Sequence, residues 1–459
     1  MSLDKDISAV AGIIQDSKKV TIISHIDADG ITSEAIMRQA VARAGIEVRS
    51  VFVRQLEPIT MKHVPEDDSL KLFIDLGAGQ QNLLEERGLS DREVVIIDHH
   101  VTQDVDTQYI QANGLPYGHE KLSAAGVGYL VAREIDEANI DLAKLAVIGN
   151  VGDMMARENC GLIGPARKIA DDGAEFGNVE IVKDDLNCYG ISTRPLHILL
   201  SFADDPHIPG ISNQPGEAQN MLTHEAGIQL HKPNGKWKVW EDLDEGERKS
   251  IMGRLALKLH SAGEPLDRLR GEHYIFPDER KYTPLRNASE YATMLNACGR
   301  WVKPHTGSAV CTGDRGEQYR EAEHMLRHHR KIIREMMEYI LDKGVAEYSH
   351  LQYIHVGSRF PDTIVGIGAG MALSKLNRRL PIMVLCYLSD DPELVKVSMR
   401  TNETMVQAGV DLQAALLEAS EKLGGAGGGH KIAAGAYIPR ESEEGFAESV
   451  NRILRQQLA

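Results

Sequence analysis

The chain has 459 residues, 42% hydrophobic and 26% charged, with a formal net charge of −16. That length exceeds what one hydrophobic core supports and reads as two to three domains. The acidic balance argues against tight, sequence-independent duplex binding through a large basic surface, while leaving room for a nucleic acid held in a local groove with divalent ions. No apolar run approaches the roughly 18 to 20 residues of a membrane span, so no membrane partner is expected. Residues Ser2 to Lys19 read as a short amphipathic helix capped by Ser2 instead of a signal peptide, which places the chain in the cytoplasm. The five cysteines lack C-x-x-C spacing, which excludes a zinc knuckle or a disulfide framework and leaves buried, reduced thiols.

From Lys19 to about Gly190 short β-branched runs alternate with helical patterns: VTIIS, SEAIMRQAVARA, EVRSVFV, LKLFIDL, EVVIID and SAAGVGYLVAREI. This alternation predicts an α/β unit with a largely parallel sheet over residues 1–190. Residues 191–313 intersperse Pro, Gly, His and Trp with amphipathic pieces such as EGERKSIMGRLALKLHSAG, and read as a separate α+β insertion. A long helical run, Glu317 to Leu341, with Gly344 as its cap, predicts a connecting helix within 314–345. Residues 346–459 return to a smaller α/β domain that includes the glycine-dense loop GGAGGGH and a final helix from about Glu443 to Gln457.

In TIISHIDADG, His25, Asp27 and Asp29 follow an apolar strand, and an extended chain with a period of two would aim all three to one side. A D-x-D after a strand is often only a polar turn, so the neighbouring segments decide. LKLFIDL ends at Asp75 and EVVIIDHH at Asp98, His99 and His100, which places acidic or imidazole groups at successive strand ends, where open α/β sheets bind ligands. LAVIGNVGDM adds Asp153 after an apolar segment and two glycines read as permitting tight turns. Several carboxylates gathered together require cations. Mixed carboxylate and imidazole ligation suits Mn²⁺ better than Mg²⁺, with either ion compatible with the residue types.

HIDADG, the Asp of FIDLG, IIDHH and GNVGD resemble, in order, the four motifs of the DHH phosphoesterase superfamily. GGAGGGHKIAAG resembles the glycine-rich substrate loop of its DHH-associated C-terminal domain. Length, the middle insertion and PLRNASEYATMLNACGR make the chain similar to the archaeal RecJ-like, GINS-associated nuclease group. The resemblance implies two divalent ions, one held by His25, Asp27 and Asp75 and the other by Asp29, Asp75, His99 and Asp153, with Asp75 bridging. It implies that Asp98 orients His99 and that His100 faces the scissile phosphate, making Asp75, Asp98, His99 and His100 the catalytic set. The implied activity is hydrolysis of single-stranded DNA or RNA by an exonuclease, with GINS and the replicative helicase as partners. Small substrates such as oligoribonucleotides, cyclic dinucleotides or 3′-phosphoadenosine 5′-phosphate, and a replisome scaffold, are the alternatives.

Substrate contacts are expected at Gly428, Gly429, His430 and Lys431, whose backbone and side-chain donors suit an anion, although a loop after DLQAALLEASEKL can also be a plain helix cap. Arg400 is a second phosphate or base contact. Ser123, in SAAGVG, either caps a helix whose N–H groups meet phosphate or belongs to close Ala/Gly helix packing. His324, His328 and His329 read as a solvated helix face, and Trp237 and Trp240 as a small core or hairpin in place of base-stacking residues.

Overall fold

Runs of Val, Ile, Leu and Phe become the strands β1 Lys19–His25, β2 Glu47–Val53, β3 Leu70–Ile74, β4 Val94–Asp98 and β5 Ile110–Asn113 in the computed structural model, which describes residues 2–458 except 59, 106–108, 374, 389–390 and 392. They form one sheet in the order β2-β1-β3-β4-β5, with every pair parallel. β3 and β4 are buried along their whole length, as strands covered on both faces must be. The helices of this part are α1 Leu3–Asp16, α2 Ala28–Arg43, α3 Gln81–Glu86, α4 Ala124–Ile135, α5 Ala143–Gly152 and α6 Gly164–Phe176. Leu84 of α3 packs with Ile23, Phe73 and Ile96 on one face of the sheet, while α2 and α4 lie against β1 and β4.

The middle of the chain opens with β6 Glu180–Leu186, which pairs antiparallel with β7 Arg270–Ile275 and stays out of the parallel sheet. Between them, α7 Leu196–Ser201, α8 Pro215–Asn220 and α9 Glu245–Ser261 enclose a core of their own around Leu199, Leu222, Ile251 and Leu255. Trp240 is fully buried in it, its Nε1–H donating to Asp185 at 2.9 Å, and Arg248 donates to the other oxygen of Asp185 at 3.0 Å. Of the expected insertion over 191–313, the part up to β7 encloses this core, while the rest packs elsewhere. α10 Ala288–Arg300 and α11 Pro304–Cys311 return to the first domain, where α10 packs on α5 and α11 on α2. The reason is the small-residue face of these helices, which lets backbones approach closely: Ala292 lies against Gly152 and Gly307 against Ile31. Residues 1–323 accordingly form one compact unit.

Residues 324–459 form the second unit, with α12 Glu317–Lys343 running across the division. Its strands are β8 Ala346–Glu347, β9 Gln352–His355, β10 Ile382–Tyr387, β11 Leu394–Arg400, β12 Ala426–Gly429 and β13 Ala433–Pro439. They are ordered β12-β13-β11-β10-β9-β8, with only β9 and β10 parallel to one another. Its helices are α13 Asp362–Leu373, α14 Glu403–Gln407, α15 Leu412–Lys422 and α16 Glu443–Gln457. α15 and α16 cover Val395, Val397 and Met399 on one face, and α13 covers Val384 and Cys386 on the other. Among the described residues no helix is long and apolar enough to cross a membrane. The molecule is thus a mixed α/β protein built on a five-stranded parallel sheet.

In the middle core, His273 is buried with its Nε2 2.7 Å from the Leu186 carbonyl, and burial holds its pKa below the usual value. The unfolded chain takes up a proton below about pH 6.5 while the folded one resists it, so stability falls as pH drops below that point. His273→Gln, which still donates to Leu186, is expected to lose less melting temperature than the native chain between pH 7.5 and 5.5 when both are followed by circular dichroism.

Candidate metal centre

β1 delivers His25 at its last residue, and the chain turns at once into α2. Asp27 is the N-cap of that helix, its Oδ1 accepting from the Gly30 N–H at 3.0 Å, and Asp29 sits in the first turn. His25, Asp27 and Asp29 therefore converge through a strand-to-helix junction; the extended, period-two geometry expected from the sequence does not occur. Asp75 follows β3 with φ of 59°, a left-handed conformation that costs a non-glycine residue about 1 kcal/mol or more. Its carboxylate is buried.

Two groups of donors meet at Asp75. On one side the His25 Nδ1 lies 3.2 Å from Asp75 Oδ2 and 3.0 Å from Asp27 Oδ2. On the other the His99 Nε2 lies 3.3 Å from Asp75 Oδ1, 3.4 Å from Asp153 Oδ2 and 3.9 Å from Asp29 Oδ2. Within each of the groups His25, Asp27, Asp75 and Asp29, His99, Asp153 the ligand atoms lie within 4.8 Å of one another. Asp153 reaches this position from the C-terminal end of helix α5, not from a strand end as the apolar run LAVIGN suggested. Nor do the two glycines of GNVGD serve as turn residues. Gly149 is required by close approach, because a Cβ there would come within 2.3 Å of the Ala125 Cβ and 2.7 Å of Asp29 Oδ1.

The electrostatics of the cluster call for cations. Burial alone would depress the imidazole of His25, but Asp27 and Asp75 outweigh it and raise its pKa well above the ordinary range. His99 is pushed up to about 10 against its own burial by the Asp75 hydrogen bond and the charges of Asp29 and Asp153. Burial raises Asp153 to about 7, with the Asp75 charge adding to it against the pull of His99. Asp29 is raised well above a normal carboxyl by burial, then by Asp75 and Asp153. Carboxylates and imidazoles brought together in burial, with proton affinities raised in this way, form a donor set that suits divalent cations. His25, Asp27 and Asp75 would hold one, and Asp29, Asp75, His99 and Asp153 the other.

Asp98 does not orient the ring of His99. Its Oδ1 accepts from the His99 N–H at 2.8 Å and lies 2.7 Å from His100 Nδ1, while Oδ2 accepts from the Ala78 N–H at 2.9 Å. The imidazole it positions is that of His100, half exposed, whose pKa this hydrogen bond raises. The His99 ring lies beside it, with centroids 4.3 Å apart, and turns its Nε2 to Asp75, Asp153 and Asp29 instead.

Ser123 is corrected as well. It is fully buried, caps α4 by accepting from the Gly126 N–H, and the next two amides, Ala124 and Ala125, donate to Asp29 at 2.8 and 2.9 Å. The helix N-terminus is spent on fixing an acidic side chain and is closed to phosphate. In the C-terminal unit, most of the expected glycine loop is strand: β12 takes in Gly428 and Gly429 and pairs with β13. His430 and Lys431 lie exposed in the tight hairpin that joins them, closed by hydrogen bonds between His430 and Ala433. Arg400 lies along α13, against Gly366 and Gly370.

Two supporting residues carry no sequence signal of their own. Asn296 of α10 accepts from the Ala28 N–H at 2.9 Å, between Asp27 and Asp29, and the buried Asn113 donates to the His100 carbonyl at 2.8 Å. Asn113 is a lone asparagine after a strand, and Asn296 lies within PLRNASEYATMLNACGR, where nothing in the sequence ties it to Asp27 and Asp29.

Comparison with known proteins follows the same lines. The DHH family N-terminal domain matches residues 19–150, the DHH-CID domain residues 188–271 and the DHHA1 domain residues 350–456. The chain is 27% identical over 452 residues to an uncharacterized protein of Methanocaldococcus jannaschii, covering 96% of this chain and 94% of that one. It is 27% identical over 154 residues to the single-stranded-DNA-specific exonuclease RecJ of Thermus thermophilus, or 31% of this chain and 23% of RecJ. In fold it is similar to that RecJ in complex with Mn²⁺, with a TM-score of 0.61 and 16% identity over 99% of this chain and 55% of that one, so it spans about half of RecJ. It is similar also to CDC45 from Entamoeba histolytica, with a TM-score of 0.66 and 13% identity over 99% of this chain and 98% of the other.

Asp98→Asn is expected to lower the pKa of His100, since the charged partner of its Nδ1–H is lost. The C2 proton of His100, followed by NMR across pH 5 to 9, should then titrate at lower pH than in the native chain; an unmoved curve would contradict the pairing.

Proposed function

Given that the chain belongs to the DHH superfamily, as a RecJ-like protein, we propose that it is a two-metal phosphodiesterase acting as an exonuclease on single-stranded DNA or RNA and releasing mononucleotides. The observation that carries this reading is Asp75, whose two carboxylate oxygens face separate donor groups. Two divalent ions held there, Mn²⁺ before Mg²⁺, would supply a nucleophile at neutral pH and offset charge on the phosphoryl oxygens.

The chain's own residues set the geometry. Asp29 is held by two backbone amides, so it cannot swing away as charge changes around it. Asp98 raises the pKa of His100 and so favours the imidazolium, whose Nε2–H would donate to a non-bridging oxygen of the scissile phosphate. In the C-terminal unit, Gly428 has nothing within 4 Å of where a Cβ would stand, and His430, Lys431 and Arg400 offer donors for the strand's phosphates. GINS and the replicative helicase are our candidate partners, suggested by the resemblance that PLRNASEYATMLNACGR and the middle segment carry.

Asp75→Asn tolerates the left-handed backbone and should keep the native melting temperature while losing at least a thousandfold in Mn²⁺-dependent hydrolysis. The assay is end-labelled single-stranded DNA and RNA oligomers with Mn²⁺ or Mg²⁺, read as product length against time. A ladder shortening from one end supports the reading; cleavage confined to the shortest oligomers, or near-native turnover in Asp75→Asn, overturns it. GINS subunits should be retained by the full chain and by Asp75→Asn equally in a pull-down.

A further inference from the structure

Immediately after Asp153 the chain runs over the surface as residues 154–160, with Met154 and Arg157 exposed. This segment is fastened to the middle core by Arg268. Its guanidinium forms a doubly bonded ion pair with Asp205 and donates to the Arg157 carbonyl at 2.9 Å. Arg157 itself reaches Asp205 at 3.7 Å. Three residues before Asp205 stands Phe202, 55% exposed on a surface where a lone aromatic gains nothing from water.

Phe202 is the outer member of a stack. The guanidinium of Arg194 lies over both rings, 4.6 Å from the centroid of Phe202 and 4.6 Å from that of Tyr189. A tight turn builds this arrangement: the Arg194 N–H donates to the Gly190 carbonyl at 2.9 Å, and Gly190 has φ of 103°. A Cβ at Gly190 would come within 2.5 Å of the Arg194 side chain, so the approach of the arginine to the rings depends on glycine. The segment's backbone is anchored further on, where the Ser192 N–H donates to Glu290 of α10 at 2.9 Å.

We infer that Phe202, Arg194 and Tyr189 form a nucleobase-stacking platform, on which a base of the single strand lies against the exposed face of Phe202 while the exposed Arg157 meets its phosphates. Every base has a face that an aromatic ring can accept, and a cation behind that ring polarises it, so the platform binds without sequence preference. It deepens the exonuclease reading and rests on it for the identity of the strand. It goes beyond it by placing a strand contact in the middle segment, fastened to the loop that follows a candidate metal ligand. A double helix, whose bases are covered by one another, would not fit.

The test separates the platform from the chemistry. In the Asp75→Asn background, a twelve-nucleotide single strand carrying 2-aminopurine at successive positions should show fluorescence quenching at one or two positions, and Phe202→Leu should remove it. In the otherwise native chain with Mn²⁺, Phe202→Leu should lower the ratio of kcat/KM for the twelve-mer to that for bis(p-nitrophenyl) phosphate about tenfold, the scale of one lost stack. Phe202→Trp should keep the ratio or raise it. Equal melting temperatures confirm that these surface variants fold. An unchanged ratio and undiminished quenching in Phe202→Leu would overturn the platform and assign the exposed ring to a protein contact. Quenching that depends on Phe202 in a chain that hydrolyses no phosphodiester would uphold the platform and reject the nuclease reading.

Discussion

A single buried carboxylate, Asp75, sets the terms for the first unit, because neither of its oxygens can leave water without positive charge beside it. His25 approaches one oxygen and His99 the other, each bringing further carboxylates, so the charge problem grows with every residue that joins. Imidazoles forced to hold protons are a partial answer, and divalent ions a full one. The left-handed backbone at Asp75 is consistent with this: a conformation that a non-glycine residue avoids persists where the surroundings over-determine it.

The rigidity of that arrangement comes from helices. The N-terminus of α4 is given over to Asp29, a favourable use of its free amides and partial positive charge. α5 ends at Asp153 and comes close enough to α4 and Asp29 that only glycine fits at 149. α10, more than 250 residues along the chain from β1, supplies Asn296 to the junction between Asp27 and Asp29. The middle segment therefore has two parts with different physics. One encloses a core around Trp240, and the other returns to brace the site.

The C-terminal unit shows the same division between chemistry and support. The alternation in its strands buries every second residue of β13 against α15 and α16. The glycine-rich stretch is mostly paired as a strand, which leaves His430 and Lys431 exposed at the hairpin, while Arg400 lies half-buried along α13 with its guanidinium donating to the Met399 carbonyl.

The residue types of the site and the strand ends that carry His25, Asp75, Asp98, His99 and His100 were legible in the sequence. Continuous apolar runs of five or so residues ending in an acid or imidazole are the local mark of a buried parallel strand and its ligand-binding edge. The parallel sheet, the long helix over residues 317–341 and the ordinary packing role of Trp240 were legible for the same local reason. Three things were not. The route by which Asp27, Asp29 and Asp153 reach the cluster depends on where strand gives way to helix, and an apolar run as short as LAVIGN fits either state. The partner of Asp98 depended on which way two adjacent imidazoles turn, which the surrounding carboxylates settle. The return of α10 and α11, the sealing of the α4 N-terminus around Ser123, and the support from Asn296 and Asn113 all arise from contacts between residues far apart in the chain. Such contacts are made through Gly, Ala and Asn, whose small size permits close approach but leaves no periodic pattern to read. Sequence alone determined which chemical groups are available and the local segments that present them. Tertiary structure decided which of those groups meet, because that is set by close packing between helices.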